Sequence, residues 1–449
     1  MSRPHLSRRF VLLGGGLALG GALAGLRQIR QVVAATPDDE LRFIHVYLNG
    51  GWDVLLGPDP RDPAGTYSGI DLGTTRLAAE FQQPNQVTLG GQATLVGPTM
   101  AGMSEHFDKL TIFRGVNMNT VAHATGRAYV NSFLAPAGTV VRGSSMATAA
   151  SSLGPLARER ILPNVAVGFP SYNDRYSGEL TAVSMRRAAD INGLLRPLTT
   201  PLAASEEALL AAAQDQAESC VSPRYPGPRP AEQLASSRAR LRRLMAENLS
   251  AQFDFGGTSP DMVALRARFG FAADAITRDG SNVGLTAALA AQLVRLGVSR
   301  SVTISMAPSL DTHGPEWVTD QPTRQRAALN AVGALLTDLR EIDPNFEKTM
   351  VIVTSEFART PKFNGRGGRD HWFANSVLVF GSALRPGVFG STGPDNLSLQ
   401  GVDLATGAPM EGGQVLLPEH LGATIVSALG GDHSPFRVSP INSLIPGRS

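Results

Sequence analysis

A single cysteine, Cys220, means that no intramolecular disulfide can form in this chain, whatever compartment it occupies. No long basic run is present either. The densest cluster, Arg238, Arg240, Arg242 and Arg243, lies in a helix-like segment and reads as a solvated face, so nothing calls for a nucleic-acid partner. A GxGxxG nucleotide fingerprint, a Walker loop and internal repeats are absent, which leaves an oxidoreductase without a cofactor motif. The glycines at Gly365, Gly367 and Gly368 have no adjoining strand-turn-helix pattern to make a phosphate cradle.

What is present is globular in character. The chain has 449 residues, 43% hydrophobic and 17% charged, with a formal net charge of +2. That is enough to bury a large core and too apolar for general disorder. The N-terminus reads as an export signal. Ser7-Arg8-Arg9 precedes an apolar, glycine-rich stretch from Phe10 to Leu26, and small residues follow at Ala34 and Ala35. Adjacent arginines point to the twin-arginine translocase as a partner during export. We therefore expect residues 1–35 to be a signal and the remainder, 36–449, to work in the periplasm or another extracytoplasmic space. The competing reading is an uncleaved membrane anchor, since the stretch matches the shortest bilayer span of roughly 17 residues.

Short apolar runs ending in turn signals recur along the chain: Leu41 to Leu48, Leu110 to Val116, Val165 to Phe169, Ser301 to Met306, Met350 to Thr354 and Val377 to Phe380. Near-continuous apolar strands of this kind belong to parallel sheets covered on both faces. Helical patterns lie between several of them, at Ala122 to Leu134, Leu285 to Leu296 and Arg324 to Leu339. The alternation predicts a doubly wound α/β domain. Residues 199–271 differ, with helix formers at Ser205 to Glu218 and Ala231 to Gln252 separated by prolines, and we expect a helical insertion or cap there.

In open α/β sheets ligands gather at the carboxyl ends of the strands. After the first run comes Asn49-Gly50-Gly51-Trp52-Asp53, where Asp53 is either a ligand or a turn residue. After the second come Asn119, Thr120 and His123, where a hydroxyl either caps a helix or meets an anion at its N-terminus. Asp311 and His313 are two apart, which on extended chain points both to one side, toward a shared cation. The richest segment runs Ser355-Glu356-Phe357-Ala358-Arg359-Thr360-Pro361 and on to Gly368-Arg369-Asp370-His371. The plain alternative for Glu356 and Arg359 is an ordinary ion pair. Three of the eight histidines, His123, His313 and His371, follow predicted strands beside Asp, Asn or Thr, a coincidence that favours a metal site.

These motifs, with the tail from Leu416-Leu417-Pro418 to Leu429-Gly430, resemble the domain of unknown function 1501 family, whose members are typically exported bacterial proteins. That family is similar to the alkaline phosphatase and sulfatase superfamily. The resemblance implies a three-layer α/β/α sandwich with a mainly parallel sheet and one or two divalent metal ions at the strand ends. It implies Asp311, His313 and His371 as ligands of one ion. Asp53 and Glu356, with Asp370, would hold the other. Thr120 stands where the superfamily has its nucleophile, with Thr125 and Ser132 as nearby alternatives. His123 and Arg359 would steady the anionic oxygens. The chain departs from the superfamily pattern in the short spacing of Asp311 and His313 and in Glu356-Phe357 standing for an Asp-His pair. The expected function is hydrolysis of a small anionic phosphate or sulfate ester. The rival is a non-catalytic binding or assembly protein that keeps the fold and one structural ion.

Overall fold

The computed structural model describes residues 41–154, 160–195, 249–278, 282–306 and 309–448, with scattered residues between 203 and 216. The expected signal at 1–35, Cys220, the arginine cluster at 238–243 and most of the stretch 199–271 lie outside the described residues.

Eight strands form the central sheet: β1 (Arg42–Leu48), β2 (Leu110–Asn117), β3 (Asn164–Val167), β4 (Val183–Met185), β5 (Ser301–Ser305), β6 (Thr349–Ser355), β7 (Ala374–Phe380) and β8 (Gly387–Phe389). Each of the six apolar runs read from the sequence overlaps one of its strands. The spatial order is β8-β2-β7-β6-β1-β5-β3-β4. Only β7 runs antiparallel to its neighbours; the other pairings are parallel. The carboxyl ends of β2, β6, β1 and β5 therefore open on one edge of the sheet.

β1 shows why the sheet needs cover on both faces. Ile44, Val46 and Leu48 enter one core cluster, whereas Phe43 and Tyr47 enter a second. Two faces with fully buried aliphatic and aromatic side chains, each stabilising by about 1.5–3 kcal/mol, give a three-layer α/β/α sandwich.

The first face is covered by the 3-10 segment Pro98–Lys109 and three helices. These are α3 (Pro260–Phe269), α4 (Val283–Arg295) and α5 (Trp317–Arg340). Asn282 caps α4, its side chain accepting from the Leu285 N–H at 3.1 Å. The second face carries α1 (His123–Ser132), α2 (Met146–Ser151) and α6 (Pro418–Ala428). α5 begins two turns earlier than its sequence pattern predicts, because Pro322 is accommodated inside the helix instead of ending it. Where described, the end of the 199–271 stretch packs into the first core through Leu249, Phe253, Phe255, Phe269 and Phe271.

Candidate functional site

The carboxyl-edge loops bring four groups together. Gly50, just past β1, adopts φ +104, and a Cβ there would meet the Leu310 and Asp311 backbone nitrogens at 2.5 and 2.6 Å. The β1 loop can thus lie directly against the loop that follows β5. On that loop Asp311 and His313 face the same side, as their spacing predicts, while Thr312 turns inward against Gln321. His371 is placed by a short antiparallel pairing with Arg359. His123 begins α1, whose Gly126 packs against Glu356; a Cβ at 126 would meet the Glu356 carbonyl oxygen at 2.6 Å.

The imidazoles share one arrangement. The Nδ1 of His123 lies 2.9 Å from Glu356 Oε1, that of His313 lies 2.7 Å from Asp370 Oδ1, and that of His371 lies 2.7 Å from the Val121 carbonyl oxygen. Each Nδ1 faces an acceptor, which assigns the proton to it and leaves the Nε2 lone pair free. All three Nε2 atoms then converge on Asp311. They lie 3.3 Å from its Oδ2 (His123) and 2.9 and 3.0 Å from its Oδ1 (His313 and His371). Nε2 of His313 and Nε2 of His371 are only 2.9 Å apart. Asp311, His123, His313 and His371 retain 35%, 27%, 27% and 19% side-chain exposure, so solvent reaches the centre.

The local electrostatics follow from these contacts. Burial alone would raise the pKa of Asp311. The hydrogen bond from Arg359 and the positive charge of its guanidinium outweigh it and hold the carboxyl well below the usual range. The bond to Glu356 raises His123, while burial lowers His371. Asp370 is held low by the bond from His313. Burial pushes Glu356 up, but bonds from His123, Tyr47 and the Gly50 N–H bring it below its ordinary value.

Arg359 is fully buried, and each of its N–H groups faces an acceptor. Nε donates to the Gly51 carbonyl at 3.0 Å, and Nη1 to the Arg369 carbonyl at 3.1 Å and, weakly, to His313 Nε2 at 3.4 Å. Nη2 donates to the Gly50 carbonyl and to Asp311 Oδ1, the latter at 2.7 Å.

The remaining sequence candidates are distributed around this centre. Glu356 is wholly buried; its Oε1 meets His123 and the Gly50 N–H, and its Oε2 accepts from the Ser355 hydroxyl at 3.1 Å. Asp370 orients His313 with help from Asn364, whose Nδ2 donates to it at 2.9 Å. Asp53 lies in a separate buried arrangement. Its Oδ1 accepts from the Leu55 N–H at 3.0 Å and its Oδ2 from Trp317 Nε1 at 3.1 Å, with Arg369 Nε 3.2 Å from the same oxygen. That last contact falls outside hydrogen-bond geometry, so the attraction is coulombic. Thr120 is half-buried, three residues before His123, with its hydroxyl accepting from the Ala122 N–H at 3.1 Å. Ser132 is buried at the far end of α1.

Sequence reasoning grouped Asp311, His313 and His371 and placed His123 beside them as a substrate contact; the geometry puts all four in one cluster. It did not find the Val121 carbonyl, which no side-chain pattern can announce, nor the pairing of Arg369 with Asp53. Phe357 registered only as a departure from pattern. It packs its ring 4.2 Å from His371 and 4.9 Å from His123.

Residues 40–440 match the family described as Protein of unknown function (DUF1501), and the chain belongs to that family. A search of the curated proteins gives no match. Among solved structures, the chain is similar to Ps i-CgsB in complex with k-i-k-neocarrahexaose, at 9% identity and TM-score 0.34, covering 90% of this chain and 75% of that one. It is also similar to the C-terminal periplasmic domain of EcEptC from Escherichia coli in complex with Zn, at 7% identity and TM-score 0.28, covering 77% and 74%. A third is the phosphonate monoester hydrolase of Agrobacterium radiobacter, at 12% identity and TM-score 0.29, covering 91% and 79%. At scores this low the likeness carries no weight for chemistry, which has to be read from the chain's own residues.

Proposed function

We propose that His123, His313, His371 and Asp311 hold one divalent cation, and that this centre hydrolyses a small anionic phosphate or sulfate ester outside the cytoplasm. The observation that carries the reading is the shared orientation of the histidines: each Nδ1 is held by an acceptor, and each Nε2 is aimed at one carboxylate. Metal-binding histidines are oriented in this way by partners on the other ring nitrogen. Without a cation or an added proton, the facing Nε2 lone pairs of His313 and His371 would repel at 2.9 Å. Three imidazoles and one carboxylate favour a transition metal such as zinc over calcium or magnesium.

A cation so held supplies Lewis acidity toward an ester oxygen. The protein's part is to fix the four donors through Glu356, Asp370, the Val121 carbonyl and Arg359. Thr120, on the loop leading into His123, is the candidate hydroxyl nucleophile, and Thr125 is the nearby alternative. Arg359 commits four N–H groups to Gly50, Gly51, Arg369 and Asp311, so its first role is to hold Asp311. The remaining Nη1–H, which meets His313 Nε2 only weakly at 3.4 Å, is released for an anionic oxygen once that nitrogen holds the cation. Export rests on Ser7-Arg8-Arg9 and the apolar stretch behind it. Among the described residues no helix is long and apolar enough to cross a membrane.

The test is metal content by elemental mass spectrometry on wild type, Asp311→Ala and His371→Ala, followed by a screen of phosphate and sulfate esters. Close to one equivalent, lost in both variants, is the expected result. No metal in wild type, purified without chelator, would sink the reading. The packing of Phe357 against His371 and His123 favours a second reading, a binding protein with one structural ion. Thr120→Ala separates the two: a hydrolase using Thr120 loses turnover and keeps its metal, whereas a binding protein has no turnover to lose.

A further inference from the structure

The resemblance read from the sequence implies a second ion held by Asp53 and Glu356 with Asp370. The donors do not fit it. Both Asp53 oxygens accept from Leu55 and Trp317, beside the Arg369 charge. Glu356 is wholly buried and its carboxylate is taken by His123, the Gly50 N–H and Tyr47. Asp370 turns to His313.

Beside Asp311 stands a different positive charge. Gly50 and Gly51, at φ +104 and +85, turn successive carbonyl oxygens toward the same buried guanidinium. The Arg369 carbonyl and Asp311 Oδ1 complete a set of four oxygens around Arg359. Carbonyls and a carboxylate are donors suited to a hard divalent cation. Here they surround a guanidinium.

Resting on the metal reading above, we infer that the Arg359 guanidinium is a built-in cation occupying the oxygen-lined position beside Asp311, so that the centre takes one metal ion and no second. Arg359 is thus a positioning residue. It fixes Asp311 for the histidine site and keeps the oxygen set from accepting a free ion. Its removal should expose that set, and the site uncovered would prefer an oxygen-seeking cation, unlike the imidazole-rich centre next to it.

The experiment measures zinc and calcium stoichiometry by equilibrium dialysis and elemental mass spectrometry on the full chain, as wild type, Arg359→Ala and Arg359→Lys. The expected result is one zinc and no calcium in wild type and in Arg359→Lys. Folded Arg359→Ala should bind one calcium, displaced by millimolar guanidinium, and should hold its zinc more weakly because Asp311 has lost the group that fixes it. Two zinc ions in wild type would overturn this inference and leave the metal centre standing. No zinc in wild type would overturn both. Folded Arg359→Ala that takes no calcium overturns the inference alone. If Arg359→Ala does not fold, the stoichiometry of wild type decides the matter, since a second ion there contradicts a permanent guanidinium in its place.

Discussion

Asp53→Asn tests whether Asp53 is a metal ligand or half of a buried ion pair. Asp53 and Arg369 both have 0% side-chain exposure, so solvent does not screen their attraction. Removing one partner of such a pair leaves a buried charge uncompensated and costs about 3–5 kcal/mol. Asparagine keeps an oxygen for the Leu55 N–H but removes the charge facing Arg369. It also weakens the acceptor for Trp317 Nε1. The expected loss is therefore about 3–5 kcal/mol in urea unfolding followed by tryptophan fluorescence, with metal content unchanged in the folded protein. Arg369→Met in the same background should recover part of it. Recovery stays incomplete because Arg369 also donates to the Thr360 and Asp71 carbonyls and lies over the Trp317 and Phe363 rings. A variant within about 1 kcal/mol of wild type that has lost its metal would refute the reasoning and return Asp53 to the ligand set.

Three further outcomes are expected. His45 is fully buried in β1, where burial lowers its pKa to about 3. A histidine with a depressed folded pKa keeps its full stability above the unfolded value of 6.5 and loses it as pH falls from there toward 3. Between pH 7 and 4.5 the loss is about 3 kcal/mol, on the order of two pKa units at 1.36 kcal/mol each. His45→Leu should flatten the pH dependence of urea unfolding across that window, and an unchanged slope would show that other groups carry it. Asp370→Ala removes the partner that orients His313, so zinc affinity should fall about 10- to 100-fold by competition with a chelating dye; an unchanged affinity would detach Asp370 from the site. Gly50→Ala must displace the Leu310–Asp311 backbone, and should cost more than about 1 kcal/mol and weaken zinc binding together. Loss of one without the other would show that the β1 loop and the Asp311 loop are not coupled.

The sheet was legible because β1, β2, β5, β6 and β7 are buried on both faces, and such strands must be apolar at nearly every position. The runs ending at Leu48, Val116, Met306, Thr354 and Phe380 follow from that requirement. α5 was legible only from Arg324 onward because Pro322 ordinarily ends a helix, and here Trp317, Gln321 and Pro322 are themselves buried, which holds the first turns in place. The direction of β7 could not be read. Antiparallel pairing with β2 and β6 depends on a short return after His371, and an apolar run carries no sign of its own orientation.

The histidines were legible as a set, but their roles were not, and the reason lies in what a sequence position can encode. A carboxylate beside a histidine reads as a ligand in either case, whether it meets the ion or the far nitrogen of the ring. Glu356 and Asp370 both read as ligands, and both lie on Nδ1 atoms. His123 read as a substrate contact, yet its Nε2 points to Asp311. The difference is set by which ring edge faces the centre. That in turn depends on the depth of α1 against Glu356, fixed by Gly126, and on the antiparallel pairing of His371 with Arg359. Arg359 makes the same point for charge. A motif cannot distinguish a guanidinium that reaches for a ligand from one whose N–H groups are already spent on Gly50, Gly51, Arg369 and Asp311. On the proposed reading, that commitment leaves at most one Nη1–H for an anionic substrate, and specificity for an ester would come mainly from the metal-facing atoms and the rim around Thr120 and Val121. Substitutions at that rim should change substrate choice with metal content unaltered, while substitutions at Glu356 or Asp370 should do the reverse.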